Sequence, residues 1–78
     1  MENIPILIDV IGLRCPMPVQ KLRSMIKKTE NWSTINMIGD DPESLHDIPT
    51  LLDRMNLQAP VIKKQENGWL FLIKNVPK

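Results

Sequence analysis

Two prolines separated by one residue, Pro16 and Pro18, fix where a helix can begin. Within an α-helix, proline is tolerated in the first turn, where its missing N–H would have had no intrahelical acceptor. After these prolines, apolar residues recur at helical spacing, and basic residues fall on the opposite side of the helix. The sequence therefore predicts an amphipathic helix that packs on another layer of the fold. Its apolar positions are Pro18, Val19, Leu22, Met25 and Ile26.

Two segments with strand patterns flank the predicted helix. Residues 6–10 are rich in β-branched side chains and end before a glycine, which indicates a first strand. Residues 34–39 predict a second strand, in which Ile35 and Met37 lie on one face and Ile38 lies on the other. The first half of the chain therefore has the pattern of a β-α-β unit.

A second helical region follows, and its prolines predict an irregular start. Asp41 is a good N-cap residue and Pro42 a good first helical residue. Apolar residues continue at helical spacing, but Pro49 would break the interior of a helix. We therefore expect an irregular first turn and a regular helix that restarts near Asp47, which would cap it. The predicted apolar stripe consists of Leu45, Ile48, Leu51, Leu52 and Met55.

The last part of the chain has the pattern of a β-hairpin. Residues 61–66 and 69–74 are predicted strands on either side of Asn67-Gly68, a dipeptide that favours a type I′ turn. Pairing across that turn places two sets of apolar side chains on opposite faces of the sheet. The second set would form a contact patch if its face meets solvent. The first set is Ile62, Trp69, Phe71 and Ile73, and the second is Val61, Leu70 and Leu72.

The element order β-α-β-α-β-β predicts an α/β (α+β) fold, a two-layer sandwich with both helices on one face of a four-stranded mixed sheet. The chain has 78 residues, of which 42% are hydrophobic, so residues 1–78 can form one domain with one core. The sequence shows no signal-peptide pattern and no apolar run long enough to span a membrane. We expect a soluble cytoplasmic protein, in a compartment where thiols stay reduced.

Charged residues are unevenly distributed along the chain. The formal net charge of +1 argues against direct nucleic-acid binding. Residues 10–29 carry five cations and no acid, whereas residues 40–54 carry five acids and one cation. The basic helix would be either an ordinary solvated face or a docking surface for an acidic protein partner.

Cys15 is the single cysteine, and it directly precedes the predicted helix. Unpaired N–H groups, the positive end of the helix dipole and neighbouring Arg14 would each lower the pKa of its thiol. Pro16 and Pro18 would hold the cysteine in a rigid position. The alternative is a buried and inert cysteine. Cys15 and His46 are too few soft ligands for zinc, so we expect no metal and no cofactor.

The motif Gly-Leu-Arg-Cys-Pro-Met-Pro at 12–18, with Asp-Asp-Pro at 40–42 and Asp-Ile-Pro at 47–49, resembles the TusA (SirA-like) sulfur-carrier family. The resemblance includes a CPxP motif at a strand-to-helix junction and extends over nearly the whole chain. It implies the two-layer fold and makes Cys15 the carrier cysteine. The tRNA-thiolation branch of the family usually has Glu between the two prolines, where this chain has Met17. The difference bears on the identity of the partner more than on the chemistry.

Members of that family accept sulfane sulfur from the persulfide of a cysteine desulfurase and pass it to a downstream relay protein. The best-known destination is 2-thiolation of the wobble uridine of certain tRNAs, and relatives serve molybdenum-cofactor synthesis or dissimilatory sulfur oxidation. The resemblance thus implies a sulfurtransferase-type carrier with a persulfide intermediate on Cys15. Arg14, Pro16, Met17 and Pro18 would stabilise the thiolate or bind the partner. We expect the protein to be a monomer when free and to make no membrane contact.

Two other functions fit the same residues. A thiol redox sensor would use an exposed cysteine of low pKa, which becomes oxidised to sulfenic acid or glutathionylated. A non-catalytic interaction module would use the basic helix or the second apolar sheet face, with Cys15 in a structural role. Loading with sulfur distinguishes the carrier from both alternatives, because only the carrier gains a sulfur atom from a persulfide donor.

Overall fold

The computed structural model describes residues 4–78 and contains four strands and two helices within them. The order along the chain is β1 (Ile4–Asp9), α1 (Met17–Lys28), β2 (Trp32–Gly39), α2 (Ser44–Arg54), β3 (Val61–Gln65) and β4 (Gly68–Lys74). The strands form one sheet in the order β1-β2-β4-β3, in which β1 and β2 are parallel and the other neighbours are antiparallel. The predicted β-α-β-α-β-β fold with a mixed four-stranded sheet is confirmed.

The hydrophobic core lies between the helices and one face of the sheet. The strand register places Ile8 of β1 opposite Met37 of β2, and Met37 opposite Phe71 of β4. These three side chains are buried together with Leu22 of α1 and Leu52 of α2. Because successive strand residues point to opposite faces, the alternate residues form the outer face of the sheet. On that outer face, Leu7 is 69% exposed and Val61 is 54% exposed.

Helix α1 begins one residue later than the prolines suggest, with Pro16 as its N-cap residue and Met17 as its first residue. Its predicted apolar face is confirmed, because Pro18 and Leu22 are buried and the remaining apolar positions pack partly buried against the core. Helices α1 and α2 have 12 and 11 residues, and no helix within residues 4–78 is long and apolar enough to cross a membrane.

Helix α2 is continuous through Pro49, so the predicted restart near Asp47 is wrong. The N–H of Asp47 donates to the carbonyl of Glu43 at 2.9 Å, which makes Asp47 a helical residue rather than an N-cap. Proline here removes one backbone hydrogen bond, and the hydroxyl of Thr50 donates to the carbonyl of His46 at 2.9 Å in the same turn. The side chain of Asp47 is therefore not used in capping. Leu45, predicted for the apolar stripe, is 36% exposed.

The prediction that Asp41 is the N-cap residue is wrong, because α2 begins at Ser44 and its N-cap is Glu43. Asp41 instead fixes the turn before the helix. One carboxylate oxygen of Asp41 accepts the N–H of Glu43 at 3.1 Å, and the carbonyl of Asp41 accepts the N–H of Ser44 at 3.0 Å. Both Asp41 and Ser44 are buried. The turn that leads from β2 into α2 is thus fixed by hydrogen bonds to one residue.

The hairpin turn lies one residue earlier than predicted. Gln65 pairs with Gly68, so the turn residues are Glu66 and Asn67, and the predicted type I′ turn at Asn67-Gly68 is wrong. Gly68 is required for close packing, because a Cβ at this position would lie 2.2 Å from the carbonyl oxygen of Gly39. The register differs from the predicted one by two residues, and such a change keeps every side chain on its face. The predicted division of the hairpin side chains between the two faces is accordingly confirmed.

Candidate functional site

Two loops meet beside Cys15, because parallel neighbours β1 and β2 end at the same edge of the sheet. The loop after β1 turns at Gly12, whose φ of +86° is a left-handed conformation that glycine adopts at little cost. The loop after β2 begins with Asp40. One oxygen of Asp40 accepts the N–H of Gly12 at 2.9 Å and the guanidinium of Arg14 at 2.8 Å. The β2 loop therefore fixes the segment that leads to Cys15.

Asp41 fixes the backbone of Cys15 itself. Its second carboxylate oxygen accepts the N–H of Cys15 at 2.8 Å, while its first oxygen accepts the N–H of Glu43. Asp41 is only 4% exposed, so this charge-assisted hydrogen bond is shielded from water. Cys15 is followed by Pro16, to which it is joined by a cis peptide bond. The cysteine is thus held at its N–H and lies immediately before the N-cap of α1.

The thiol of Cys15 is exposed and faces carboxylates. Its Sγ donates a hydrogen bond to Oδ2 of Asp47 at 3.5 Å. This hydrogen bond raises the pKa of Cys15 above its ordinary value of 9.0, and desolvation and the negative charges of Asp47, Glu43 and Asp41 raise it further. The prediction of a lowered pKa for this thiol is therefore wrong. The alternative of a buried cysteine is excluded, because Cys15 is exposed.

The start of α1 offers fewer N–H groups to an anion than its position suggests. Pro16 and Pro18 have no N–H, and the N–H of Met17 donates to the carbonyl of Arg14 at 2.9 Å. The guanidinium of Arg14 pairs with Asp40, whose pKa is lowered by the N–H of Gly12 first and by Arg14 second. The structure therefore gives no support to Arg14 as a stabiliser of the Cys15 thiolate.

The other residues predicted for the site have different surroundings. Pro16 is exposed beside Cys15, whereas the side chain of Pro18 is fully buried in the core and offers no surface to a partner. Met17 is 43% exposed, but it lines a groove of about 500 Å³ between α1 and the β1 edge. Cys15 does not line that groove. Of the predicted set, Pro16 alone lines the same groove as Cys15.

A groove of about 420 Å³ extends from Cys15 between α1 and α2. Its apolar walls include Val19 and Leu51, and its charged walls include Arg23 of α1 and Arg54 of α2. The complete lining is Cys15, Pro16, Val19, Gln20, Arg23, His46, Asp47, Thr50, Leu51 and Arg54.

Cys15, Glu43 and Asp47 present donor atoms within 4.8 Å of one another. Exposed acidic groups are often found close together without an ion, and nothing else among residues 4–78 points to a metal here. We therefore assign no metal to this cluster. Its visible effect is on the thiol, because the two carboxylates favour the protonated sulfur.

Sequence reasoning missed the acidic surroundings of Cys15. Asp40, Asp41 and Asp47 come from segments 26 to 32 residues away, and their side chains contact the cysteine loop only in the fold. The signal was present in the Asp-Asp-Pro and Asp-Ile-Pro motifs, which local reasoning treated as helix starts. Only the strand-to-helix position of the cysteine was visible from its own neighbours.

Taken together, the fold and the site define a small α+β protein that presents one exposed thiol at a strand-to-helix junction. A family model described as "Sulfurtransferase TusA" matches residues 6–75. A relative from Archaeoglobus fulgidus named "Putative sulfur carrier protein" is 36% identical over 70 residues, which cover 88% of this chain and 91% of the relative. The chain belongs to the TusA family of sulfur carriers.

Proposed function

We propose that this protein carries sulfane sulfur as a persulfide on Cys15, which it accepts from a cysteine desulfurase and passes to a downstream relay protein. The observation that carries the proposal is an exposed thiol on a fixed backbone, with its N–H bound by buried Asp41 and its side chain at the end of a groove. Membership of the TusA family supports the same function.

Sulfur transfer takes place by two exchange reactions, each between a thiolate and a persulfide. The Cys15 thiolate attacks the outer sulfur of the donor persulfide, a new S–S bond forms at Cys15, and the donor leaves as its cysteine thiolate. An acceptor thiolate then attacks the terminal sulfur and releases the Cys15 thiolate. Because the pKa of Cys15 is raised, the thiol must first lose its proton. A second cysteine could attack the inner sulfur of the persulfide, which would form a disulfide with Cys15 and release the carried sulfur as hydrosulfide, and residues 1–78 contain no second cysteine.

The groove between α1 and α2 is the proposed docking surface for the segment of the donor that carries its persulfide. Its apolar walls would accept apolar side chains of that segment, and Arg23 and Arg54 would pair with acidic groups beside it. The basic stretch at residues 10–29 has the sign of charge that attracts an acidic partner. The family resemblance is compatible with tRNA wobble-uridine 2-thiolation, molybdenum-cofactor synthesis or dissimilatory sulfur oxidation as the pathway, and Met17 departs from the Glu that is usual in the tRNA-thiolation branch. We expect the transfer to take place in the reducing conditions of the cytoplasm.

The raised pKa of Cys15 favours a carrier over a redox sensor. Sensor cysteines combine exposure with a low pKa, since the thiolate is the form that peroxide oxidises. Cys15 has the exposure, but its carboxylate neighbours raise the pKa of its thiol. Reaction with a donor persulfide bound in the groove requires a smaller thiolate fraction of Cys15 than reaction with a dilute oxidant, because proximity compensates for the low thiolate fraction.

Intact-mass measurement tests this function. Incubation with a cysteine desulfurase and free cysteine should add one sulfur, roughly 32 Da by atomic mass, to the wild-type protein, following the exchange chemistry. The Cys15→Ser variant should gain nothing. Mass gained from peroxide but not from the desulfurase would favour the sensor. No mass change under either condition would leave an interaction module and contradict the proposed carrier.

A further inference from the structure

The carboxylate of Asp47 does not cap helix α2, and it contacts the thiol of Cys15 instead. The backbone N–H of Asp47 donates to the carbonyl of Glu43, while its carboxylate accepts the thiol of Cys15 at 3.5 Å. It lies in the first turn of α2, and it lines the groove between the helices. The hydrogen bond joins residues 32 positions apart, so it exists only in the folded chain.

The charged groups around Cys15 come from three elements. The loop after β2 contributes Asp41, whose carboxylate binds the Cys15 N–H. Helix α2 contributes Asp47, and the turn before it contributes Glu43. One carboxylate oxygen of each lies within 4.8 Å of the Cys15 sulfur. Further along the groove, α2 contributes His46 and Arg54. Helix α1 contributes Arg23 to the groove, and Arg14 is bound to Asp40. The groups closest to the sulfur are therefore negative.

We propose that Asp47 is a positioning residue for sulfur transfer: its carboxylate accepts the thiol hydrogen bond, keeps the proton on resting Cys15 and holds the sulfur at the α2 wall of the groove until transfer begins. This inference rests on the proposed carrier function and adds a residue to it. Between transfers, the bound proton limits reaction of the sulfur with adventitious electrophiles, because the thiolate is the reactive form.

Removal of the proton changes the sign of the interaction. The proton passes from Sγ to solvent, so the sulfur becomes negatively charged. The thiolate and the carboxylate then repel each other at short distance. The sulfur is then no longer held beside Asp47, and it becomes available to a persulfide in the groove.

The test is the pH dependence of alkylation of Cys15 by iodoacetamide. In the Asp47→Asn variant, the midpoint of the rate profile should move to lower pH, and alkylation at pH 7 should become severalfold faster, since one nearby negative charge is lost. Asp47→Glu should restore a midpoint near that of the wild type. Asp53→Asn removes the same charge from a distant position of the same helix and should leave the midpoint unchanged.

Glu43→Gln provides a second variant in case Asp47→Asn fails to fold. The negative charge of Glu43 also raises the pKa of Cys15, so this variant should shift the midpoint in the same direction by a smaller amount. An unchanged midpoint in both variants would overturn the inference. A shift of the Asp47→Asn midpoint to higher pH would overturn it too, because Asp47 would then assist deprotonation.

The loading assay separates failure of this inference from failure of the proposed function. If the carrier function is wrong, wild-type protein takes up no sulfur even though the alkylation midpoint of Asp47→Asn shifts. If the inference alone is wrong, wild-type protein takes up sulfur while the alkylation midpoints of wild type and Asp47→Asn coincide. Circular dichroism of each variant shows that it is folded before its rates are compared.

Discussion

Asp40 and Asp41 are neighbours in the chain, yet they stabilise different parts of the site. Asp40 is partly exposed and binds the Gly12 N–H and the Arg14 guanidinium, so it fixes the loop ahead of the cysteine. Asp41 is buried and binds the N–H of Cys15 itself. The position of the thiol therefore depends on two carboxylates that belong to the next strand-to-helix connection.

Replacement of Arg14 tests what its charge does. Because its guanidinium is paired with Asp40, the Arg14→Gln variant should keep the alkylation midpoint of Cys15 within error of the wild-type value. Lys28→Gln, at the far end of α1, is the matched loss of a positive charge. A midpoint that moves to higher pH in Arg14→Gln but not in Lys28→Gln would mean that Arg14 does stabilise the thiolate.

Asp40 gives the fold a pH dependence in the acid range. The N–H of Gly12 and the charge of Arg14 lower its pKa below the ordinary value of 3.8, so the ionised carboxylate stabilises the folded state. That stabilisation is complete above the ordinary value and is lost as pH falls through the lower folded value. Asp40→Asn should therefore unfold at lower urea concentration than wild type at pH 7, and the difference should shrink below pH 3.8.

Glu66→Gln is the control for this measurement, since Glu66 lies exposed in the hairpin turn. Its urea midpoint should stay close to that of the wild type at every pH. A difference between Asp40→Asn and wild type that is constant with pH would show that the ionised form of Asp40 does not contribute.

The elements show which structural features local sequence patterns can predict. Strands β2 and β4 and the length of α1 follow largely from periodicity, because each buries an apolar side against the core. The start of α2 does not, since the structure tolerates Pro49 in its interior at the loss of one hydrogen bond. The hairpin turn does not either, because Gly68 is required by its close contact with Gly39 and by its positive φ at the start of β4, and it is not one of the two turn residues. The predicted direction of the Cys15 pKa shift was wrong for a similar reason, because the acidic neighbours of Cys15 are distant in sequence.

Two glycine substitutions separate backbone conformation from close contact. Both Gly12 and Gly68 have positive φ, but a Cβ at Gly12 meets nothing within 4 Å, whereas a Cβ at Gly68 lies 2.2 Å from the Gly39 carbonyl oxygen. Gly12→Ala should cost about 1 to 2 kcal/mol of unfolding free energy for its left-handed conformation. Gly68→Ala should cost clearly more, because the backbone of two strands must also move apart.

Urea unfolding of the two variants measures this difference. Far-UV circular dichroism should show that Gly12→Ala keeps the wild-type fold. Equal losses in the two variants would mean that β2 and the hairpin adjust to a side chain at position 68 without strain.

At the scale of the whole molecule, the two helices that cover the sheet form the walls of one groove, to which α1 contributes Arg23 and α2 contributes both Asp47 and Arg54. The basic stretch that contains α1 and the acidic stretch that contains α2 meet beside Cys15, although the net charge is only +1. The β1 and β2 ends supply the fixed loops, and the helices supply the walls. The fold thus presents one thiol at the end of a groove with mixed charge, which suits repeated encounters with protein partners.

The central claim is that Cys15 carries a sulfur atom that can leave again, and labelled sulfur tests it most directly. The protein is incubated with a cysteine desulfurase and radiolabelled cysteine, separated from the donor and digested with trypsin, which releases Cys15 in the peptide of residues 15–21. We predict label on that peptide and its complete release as thiocyanate when cyanide is added to the intact protein, since cyanide removes sulfane sulfur. Label absent from the peptide, or label that cyanide does not remove, would contradict the account.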